Sequence, residues 1–309
     1  MESPNKIAPP IKSYFSPELL KGQVAIVTGG SRGGMLKEIA QAYLQHGCKA
    51  IILMSRNAEK NGEVVKELSK FGTCHSEPGD VRKSEDCLRV ARRAVELYGR
   101  IDILVNGAAG NFLASAAKLS TNGFRTVLEI DTIGTFNMSQ AVFNTYFNTH
   151  GGVIINISAA LHWAGSALQV HSGAAKAGVD TITKTLAVEW GPHKVRVVGI
   201  VPGAIEGTEG FERLGDLANM NNKEKSNQAF EKGDAKQAAS GFKDSMVIAP
   251  INRFGVVQDI ANAALYLASP MATYISGTNL VVDGASTLIF PNFLFSFPKF
   301  IEMWGQAKL

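Results

Sequence analysis

The feature that most constrains this chain is a run of four apolar residues, Val24-Ala25-Ile26-Val27, that passes straight into Thr28-Gly29-Gly30-Ser31-Arg32-Gly33-Gly34 and then into a helical pattern. A short, continuously apolar run before glycines reads as a parallel strand buried on both faces. Beyond the glycines, Met35, Leu36, Ile39, Ala40, Tyr43 and Leu44 share one face of a helix that ends near Gly47. Strand, glycine turn and helix in that order let backbone amides approach a pyrophosphate at the helix N-terminus. Gly29, Ser31, Arg32 and Gly33 are the expected contacts.

The same rhythm continues along the chain. Ala50–Met54, Ile101–Val105, Val153–Ile157, Val197–Val201 and Leu280–Val282 read as further strands, with helical patterns between them. Ser84 offers an N-cap to one helix, which carries Leu88, Ala91, Val95 and Tyr98 on one face and closes at Gly99. This alternation predicts an α/β fold, a doubly wound parallel sheet of the Rossmann type in a single domain. Residues 1–20 read as an N-terminal arm, 21–289 as the domain, and 290–309 as a tail rich in phenylalanine. The polar stretch of about 206–245 follows a strand's carboxyl end, where open α/β sheets bind ligands, and reads as a substrate lid.

Composition narrows the partners. A net charge of +4 describes either a solvated, mildly basic surface or a preference for polyanions such as NADPH or coenzyme A. No dense basic run with interleaved aromatics points to nucleic acid. Cys48, Cys74 and Cys87 are scattered, which fits a reducing compartment and neither a disulfide framework nor a zinc site. No apolar stretch reaches the length of a membrane span, and the proline-bearing N-terminus is not a secretory signal. The last residues, Ala307-Lys308-Leu309, are similar to the Ser-Lys-Leu address read by the peroxisomal import receptor.

Four further runs stand in order behind the glycine turn: Gly79-Asp80-Val81, Asn106-Gly107-Ala108-Ala109-Gly110, His171-Ser172-Gly173-Ala174-Ala175-Lys176 and Pro202-Gly203. Together they resemble the short-chain dehydrogenase/reductase family, from about Gly22 to Gly284. The resemblance implies a nicotinamide dinucleotide cofactor. It places Asp80 and Val81 at the adenine, Asn106 and Ala108 after the fourth strand, and Lys176 on the nicotinamide ribose. Pro202, Gly203 and Ile205 fall beside the nicotinamide, with Thr208 at its carboxamide. Strand two ends in Ser55-Arg56-Asn57 without the acidic residue that binds a ribose hydroxyl, so Arg56, flanked by Arg32, favours NADPH.

The departures from the family pattern are as informative as the matches. Met35 replaces the last glycine of the turn, Ser172 occupies the tyrosine slot of Tyr-x-x-x-Lys, and Ala159 replaces the family serine. A serine hydroxyl is far less acidic than a phenol and cannot serve as the acid for a carbonyl oxygen. Asp131 stands where the family has an asparagine, and a carboxylate there can pair with Lys176, directly or through a water that serves as proton source. Asp131 and Lys176 are therefore the candidate catalytic residues.

The runs Asn111-Phe112, Asp131–Phe136, Gln169-Val170-His171, Ala187–Pro192 and Pro202–Gly210 are similar to a divergent peroxisomal branch of the family. Its members use NADPH to reduce 2,4-dienoyl-CoA to 3-enoyl-CoA in the oxidation of unsaturated fatty acids. The resemblance implies an acyl-CoA substrate and a homo-oligomer. It assigns Asn111 to orienting the thioester, Phe112 to the acyl chain, and Ser158 and His171 to substrate contacts. His162 and Trp163, after the fifth strand, are expected to line the acyl pocket. Two alternatives stay open: another peroxisomal short-chain reductase with a different conjugated or carbonyl substrate, and a catalytically silent NADPH-binding scaffold subunit.

Overall fold

The computed structural model describes residues 14–31, 33–208, 211 and 249–288. Arg32, most of the expected lid, the phenylalanine-rich tail and Ala307-Lys308-Leu309 lie outside the described residues. The chain divides into two compact units, one made of Ile7–Pro202 and Val257–Val282, the other of Gly203–Val256 and Asp283–Leu309 with Met1–Lys6.

The first unit holds a seven-stranded parallel sheet: β1 (Val24–Thr28), β2 (Ala50–Met54), β3 (Thr73–Ser76), β4 (Ile103–Asn106), β5 (Gly152–Ile157), β6 (Val195–Pro202) and β9 (Asn279–Val282), in the order β3-β2-β1-β4-β5-β6-β9. The short β7 and β8, in the second unit, complete the numbering. Every residue of β1, β2 and β4 is buried, because helices cover both faces and the strands are apolar throughout. The strand order reverses between β1 and β4, and ligands of such sheets bind at the carboxyl ends beside that reversal.

β3 has no counterpart among the expected strands. It reads Thr-Cys-His-Ser, and Cys74 alone of the four is buried. An edge strand needs no continuous apolar run, so this one left no hydrophobic signal.

The helices are α1 (Gly34–Gln45), α2 (Ala58–Leu68), α3 (Ser84–Tyr98), α4 (Thr121–Leu128), α5 (Gly134–Val142), α6 (Asn148–His150), α7 (Val170–Trp190) and α8 (Val257–Ala268). α3 corrects one expectation: Ser84 is its first helical residue, and Lys83 occupies the N-cap position without a side-chain cap. Gly99 closes it in the left-handed conformation, as its sequence predicts. Leu20, placed in the N-terminal arm by sequence, is fully buried, and its amide donates to the His46 carbonyl at 2.8 Å. The fold therefore begins before residue 21.

Between α4 and α5 the helix widens into a five-residue π turn, Glu129–Ile133, and a second π turn, Phe143–Phe147, precedes α6. A π turn inserts one extra residue and re-aims the side chains around it. Here it carries Asp131, which is 1% exposed, so this carboxylate is no surface charge.

In the second unit, β7 (Ile205–Glu206) pairs in parallel with β8 (Gly255–Val256), and Phe211 meets Phe254 edge-on with ring centroids 5.1 Å apart. A Cβ at Gly203 would come within 2.8 Å of the Asp283 Cα, so the two backbone segments touch there.

Candidate active site

The glycine turn binds the β1 end to the β4 end. The Thr28 hydroxyl accepts the amides of Gly107 at 3.1 Å and Ala108 at 3.2 Å. Gly29 sits against that segment with φ +94°, and a Cβ there would lie 2.8 Å from the Ala108 Cα. Only glycine meets both demands. Gly33 precedes α1 with φ +77°, no side chain caps the helix, and no acid stands in its first turn. An uncapped, uncontested helix N-terminus beside close-packed glycines fits the pyrophosphate of a dinucleotide. Ser31 lies between the two glycines and is half-buried.

Arg56 is exposed just beyond β2. The Ser55 hydroxyl donates to the Asn61 side chain at 2.6 Å and Asn57 caps α2 through the Lys60 amide, so the turn that presents Arg56 is held on both sides. A carboxylate does lie nearby. Asp80 feels the charge of Arg56, yet its two oxygens are engaged by Arg82, whose Nε donates to both at 3.0 Å. The Arg82 hydrogen bonds hold the Asp80 carboxyl below its ordinary value of 3.8, with a smaller contribution from Arg56. Arg82 had no place in the sequence reading, although it stands two residues from Asp80.

Two expected cofactor residues face inward. The Asn106 amide donates to Ser139 Oγ at 3.0 Å and Asn156 Oδ1 at 2.9 Å, so its side chain ties β4 to β5 and α5. The Val81 carbonyl accepts from Asn137 at 3.0 Å, and its side chain packs where Gly134 lacks a Cβ. Ala108 contributes its backbone. Pro202 ends β6 in the first unit, whereas Gly203, Ile205 and Thr208 belong to the second, where the Thr208 hydroxyl donates to the Ile205 carbonyl at 2.8 Å.

Lys176 and Asp131 are in direct contact, Nζ to Oδ2 at 3.1 Å. The ammonium also donates to the Ile157 carbonyl at 2.9 Å, and Asp131 Oδ1 accepts the Gly110 amide at 2.7 Å. Both side chains are buried, which costs several kcal/mol per charge unless the pair is well hydrogen-bonded, as this one is. The pair joins α7, the π turn, the end of β5 and the loop after β4. An ammonium has three N–H bonds, and two are engaged here.

Ser172 has a defined partner. Its hydroxyl donates to Asn111 Oδ1 at 2.7 Å, which fixes the plane and sense of that amide. Phe112, 39% exposed, packs against His171 with ring centroids 4.3 Å apart and the rings tilted by 33°. His171 itself is fully buried. Burial pushes its imidazole below the usual 6.5, against smaller pulls from the Phe112 backbone and the Asp131 charge. A neutral imidazole packed against Phe112 supports the wall of the site and is a poor acid at neutral pH.

Ser158 is hydrogen-bonded within the protein. It is 3% exposed and donates its hydroxyl to Asp180 Oδ1 at 2.5 Å, so it has no proton to offer a substrate. Asp180 was missed by sequence reasoning: its contacts to Ser158 and His162 are made across a strand-to-helix crossover. The three cysteines are buried separately, and burial pushes each thiol up to about 12. Among the described residues no helix is long and apolar enough to cross a membrane.

A parallel sheet with a glycine-bound β1–α1 turn and a buried lysine on the helix after β5 defines a nicotinamide-dependent oxidoreductase. The chain belongs to the short chain dehydrogenase family, whose model matches residues 23–217, and a model described as enoyl-(acyl carrier protein) reductase matches residues 231–287. It is 44% identical over 280 residues to the peroxisomal 2,4-dienoyl-CoA reductase [(3E)-enoyl-CoA-producing] of Rattus norvegicus, covering 90% of this chain and 88% of that one. The Arabidopsis thaliana protein of the same name is 41% identical over 292 residues, covering 91% and 90%. A solved short chain dehydrogenase from Bacillus anthracis matches with a TM-score of 0.71 at 35% identity, covering 87% of this chain and 98% of that one.

Proposed function

We propose that this protein is an NADPH-dependent reductase of 2,4-dienoyl-CoA thioesters that yields 3-enoyl-CoA. The observation that carries the reading is the buried Lys176–Asp131 pair in a site whose tyrosine slot is filled by Ser172. A site with a charged proton relay and no phenol suits a reaction that ends by protonating carbon. The names of the relatives at 41–44% identity support the substrate class.

The α1 N-terminus with Gly29, Ser31 and Gly33 would hold the pyrophosphate, and Arg56 with Arg32 the 2′-phosphate. Bound NADPH supplies a hydride to the δ carbon of the conjugated thioester. The C4–C5 π electrons then move to C3–C4, those of C2–C3 to C1–C2, and the negative charge rests on the thioester oxygen. Asn111, its carbonyl held by Ser172, is oriented to meet that oxygen. Asp131 holds Lys176 in place, and the remaining N–H of Lys176 polarises a water that gives its proton to the α carbon, the hydroxide left behind taking a proton from solvent. The C3–C4 double bond remains, which is the 3-enoyl product. Phe112 and Trp163 face the acyl chain.

The relatives' names also favour the peroxisome, and Ala307-Lys308-Leu309 fits its import receptor. Ile133 and Phe136 are exposed on the rod that runs from α4 to α6 and favour association of copies. The experiment is to follow NADPH absorbance with 2,4-hexadienoyl-CoA. Oxidation with 3-hexenoyl-CoA as product is expected. NADPH binding without oxidation would sink the reading and favour the silent scaffold; turnover of simple ketones instead would favour another reductase.

A further inference from the structure

One face of α7 is stitched to three consecutive residues of the β5 end. Thr183 Oγ1 accepts from Asn156 Nδ2 at 2.9 Å, Lys176 Nζ donates to the Ile157 carbonyl at 2.9 Å, and Asp180 Oδ1 accepts from Ser158 Oγ at 2.5 Å. Lys176, Asp180 and Thr183 stand at i, i+4 and i+7 on the helix, so one stripe meets one strand end. Asn156, Ser158, Asp180 and Thr183 are all buried. Buried polar contacts of this kind penalise any slip that leaves a member unpaired, and so fix the register of α7 against β5.

Asp180 has a second oxygen, and it is taken from outside the stripe. His162 Nε2 lies 2.9 Å from Asp180 Oδ2. Because the carboxylate accepts, Nε2 carries the hydrogen. The order hydroxyl, carboxylate, imidazole puts the acid in the middle. The serine proton points at a carboxylate, no imidazole lone pair activates its oxygen, and the cluster is no nucleophilic triad. Its role is mechanical.

His162 closes the short turn Ala160–His162 directly beyond β5 and opens the segment that leads to α7. Trp163 follows, 46% exposed, its ring edge-on to His162 at 6.2 Å. At the far end of the segment the Leu168 carbonyl accepts the Ala114 amide at 3.0 Å, which ties it to the loop of Asn111 and Phe112. The near end has His162 on Asp180. The Gln169 side-chain amide adds a contact to Asn111 Oδ1 at 3.5 Å at the far end, whereas the near end has the His162–Asp180 bond, so the stretch that carries Trp163 is held at both ends.

We propose that His162 is a positioning residue: through Asp180 it latches segment 160–169 in place as one wall of the acyl site, and thereby sets affinity for the thioester and not the rate of hydride transfer. This rests on the reading of the site as a dienoyl-CoA reductase.

The test compares full-length wild type, His162→Ala and His162→Gln. Glutamine keeps an N–H donor for Asp180. Two readouts are needed: kinetics with NADPH and 2,4-hexadienoyl-CoA, and amide hydrogen exchange of residues 160–169 without substrate. His162→Ala should raise KM for the thioester about tenfold, the effect of losing a buried hydrogen bond to a charged group. Its kcat should stay within about threefold, its NADPH affinity should hold, and exchange in 160–169 should quicken. His162→Gln should recover most of each change. An unchanged KM in His162→Ala overturns the latch, as does a parallel fall in kcat and NADPH affinity, or a glutamine variant no better than alanine. If wild type turns over no dienoyl-CoA, the functional reading fails instead, and exchange alone decides the latch: quickening in His162→Ala that glutamine reverses supports it, and unchanged exchange overturns it.

Discussion

Lys176 Nζ sits 3.1 Å from Asp131 Oδ2, and both side chains are buried where the family's tyrosine has been replaced by Ser172. Removing either member leaves an uncompensated buried charge. Asp131→Ala and Lys176→Ala should each lower kcat about a hundredfold or more and cost about 3 kcal/mol of stability. Steady-state NADPH oxidation and denaturant unfolding check the two halves. Near-wild-type turnover in both variants would remove the pair from the mechanism.

Ser172 acts on Asn111, to which it donates at 2.7 Å. Ser172→Ala removes the shorter of the two bonds to Asn111 Oδ1, leaving the 3.5 Å contact from Gln169, without touching the lysine pair. KM for the dienoyl thioester should rise about fivefold, with kcat changing less. A collapse of kcat with KM unchanged would instead make the serine an acid.

Arg56 is exposed at the end of β2 on a turn held by Asn61 and Asn57. Arg56→Asp should cut the ratio of kcat/KM for NADPH over NADH about tenfold or more, since a charged hydrogen bond becomes a repulsion. An unchanged ratio would remove Arg56 from the cofactor site.

The Arg82–Asp80 pair has a pH signature. Arg82 holds the Asp80 carboxyl below 3.8, so the folded state binds that proton less readily than the unfolded chain. The stability so gained is fully present above 3.8 and is lost as pH falls through the lowered folded value. Arg82→Ala should therefore melt below wild type at pH 6, with the gap closing as pH approaches 2. A gap independent of pH would mean that packing, not the carboxylate, carries the effect.

Burial pushes all three thiols up to about 12, which leaves almost no thiolate at pH 8. A disulfide reagent should modify the native chain far more slowly than the unfolded chain, and modification should follow unfolding. Rapid reaction of the native protein would contradict their burial.

What the sequence disclosed follows from how local each signal is. The β1 run, the glycine turn and α1 lie in one continuous stretch, so their roles can be read from residues 24 to 45. Edge strand β3 has only Cys74 buried and leaves no apolar run. Asp131 could be paired with Lys176 only through a family resemblance, because no periodicity reveals a π turn. Asp180 and Arg82 stayed hidden for a related reason. Each looks like an ordinary helix or loop charge until the fold brings Ser158 and His162, or Asp80, within hydrogen-bond reach. The hydrogen bonds of the Asn106 and Ser158 side chains were equally out of reach of a pattern match, because their partners lie on other elements of the fold.

Carbon protonation through Lys176 and Asp131 is the central step of the proposed reaction. The most direct measurement is turnover of 2,4-hexadienoyl-CoA with NADPH in D2O, by wild type and by Asp131→Ala, with the product examined by NMR. Wild type should give 3-hexenoyl-CoA carrying solvent deuterium at the α carbon, and Asp131→Ala almost no product. Product with the double bond at C2 and deuterium at the γ carbon, or equal turnover by the two proteins, would contradict that step.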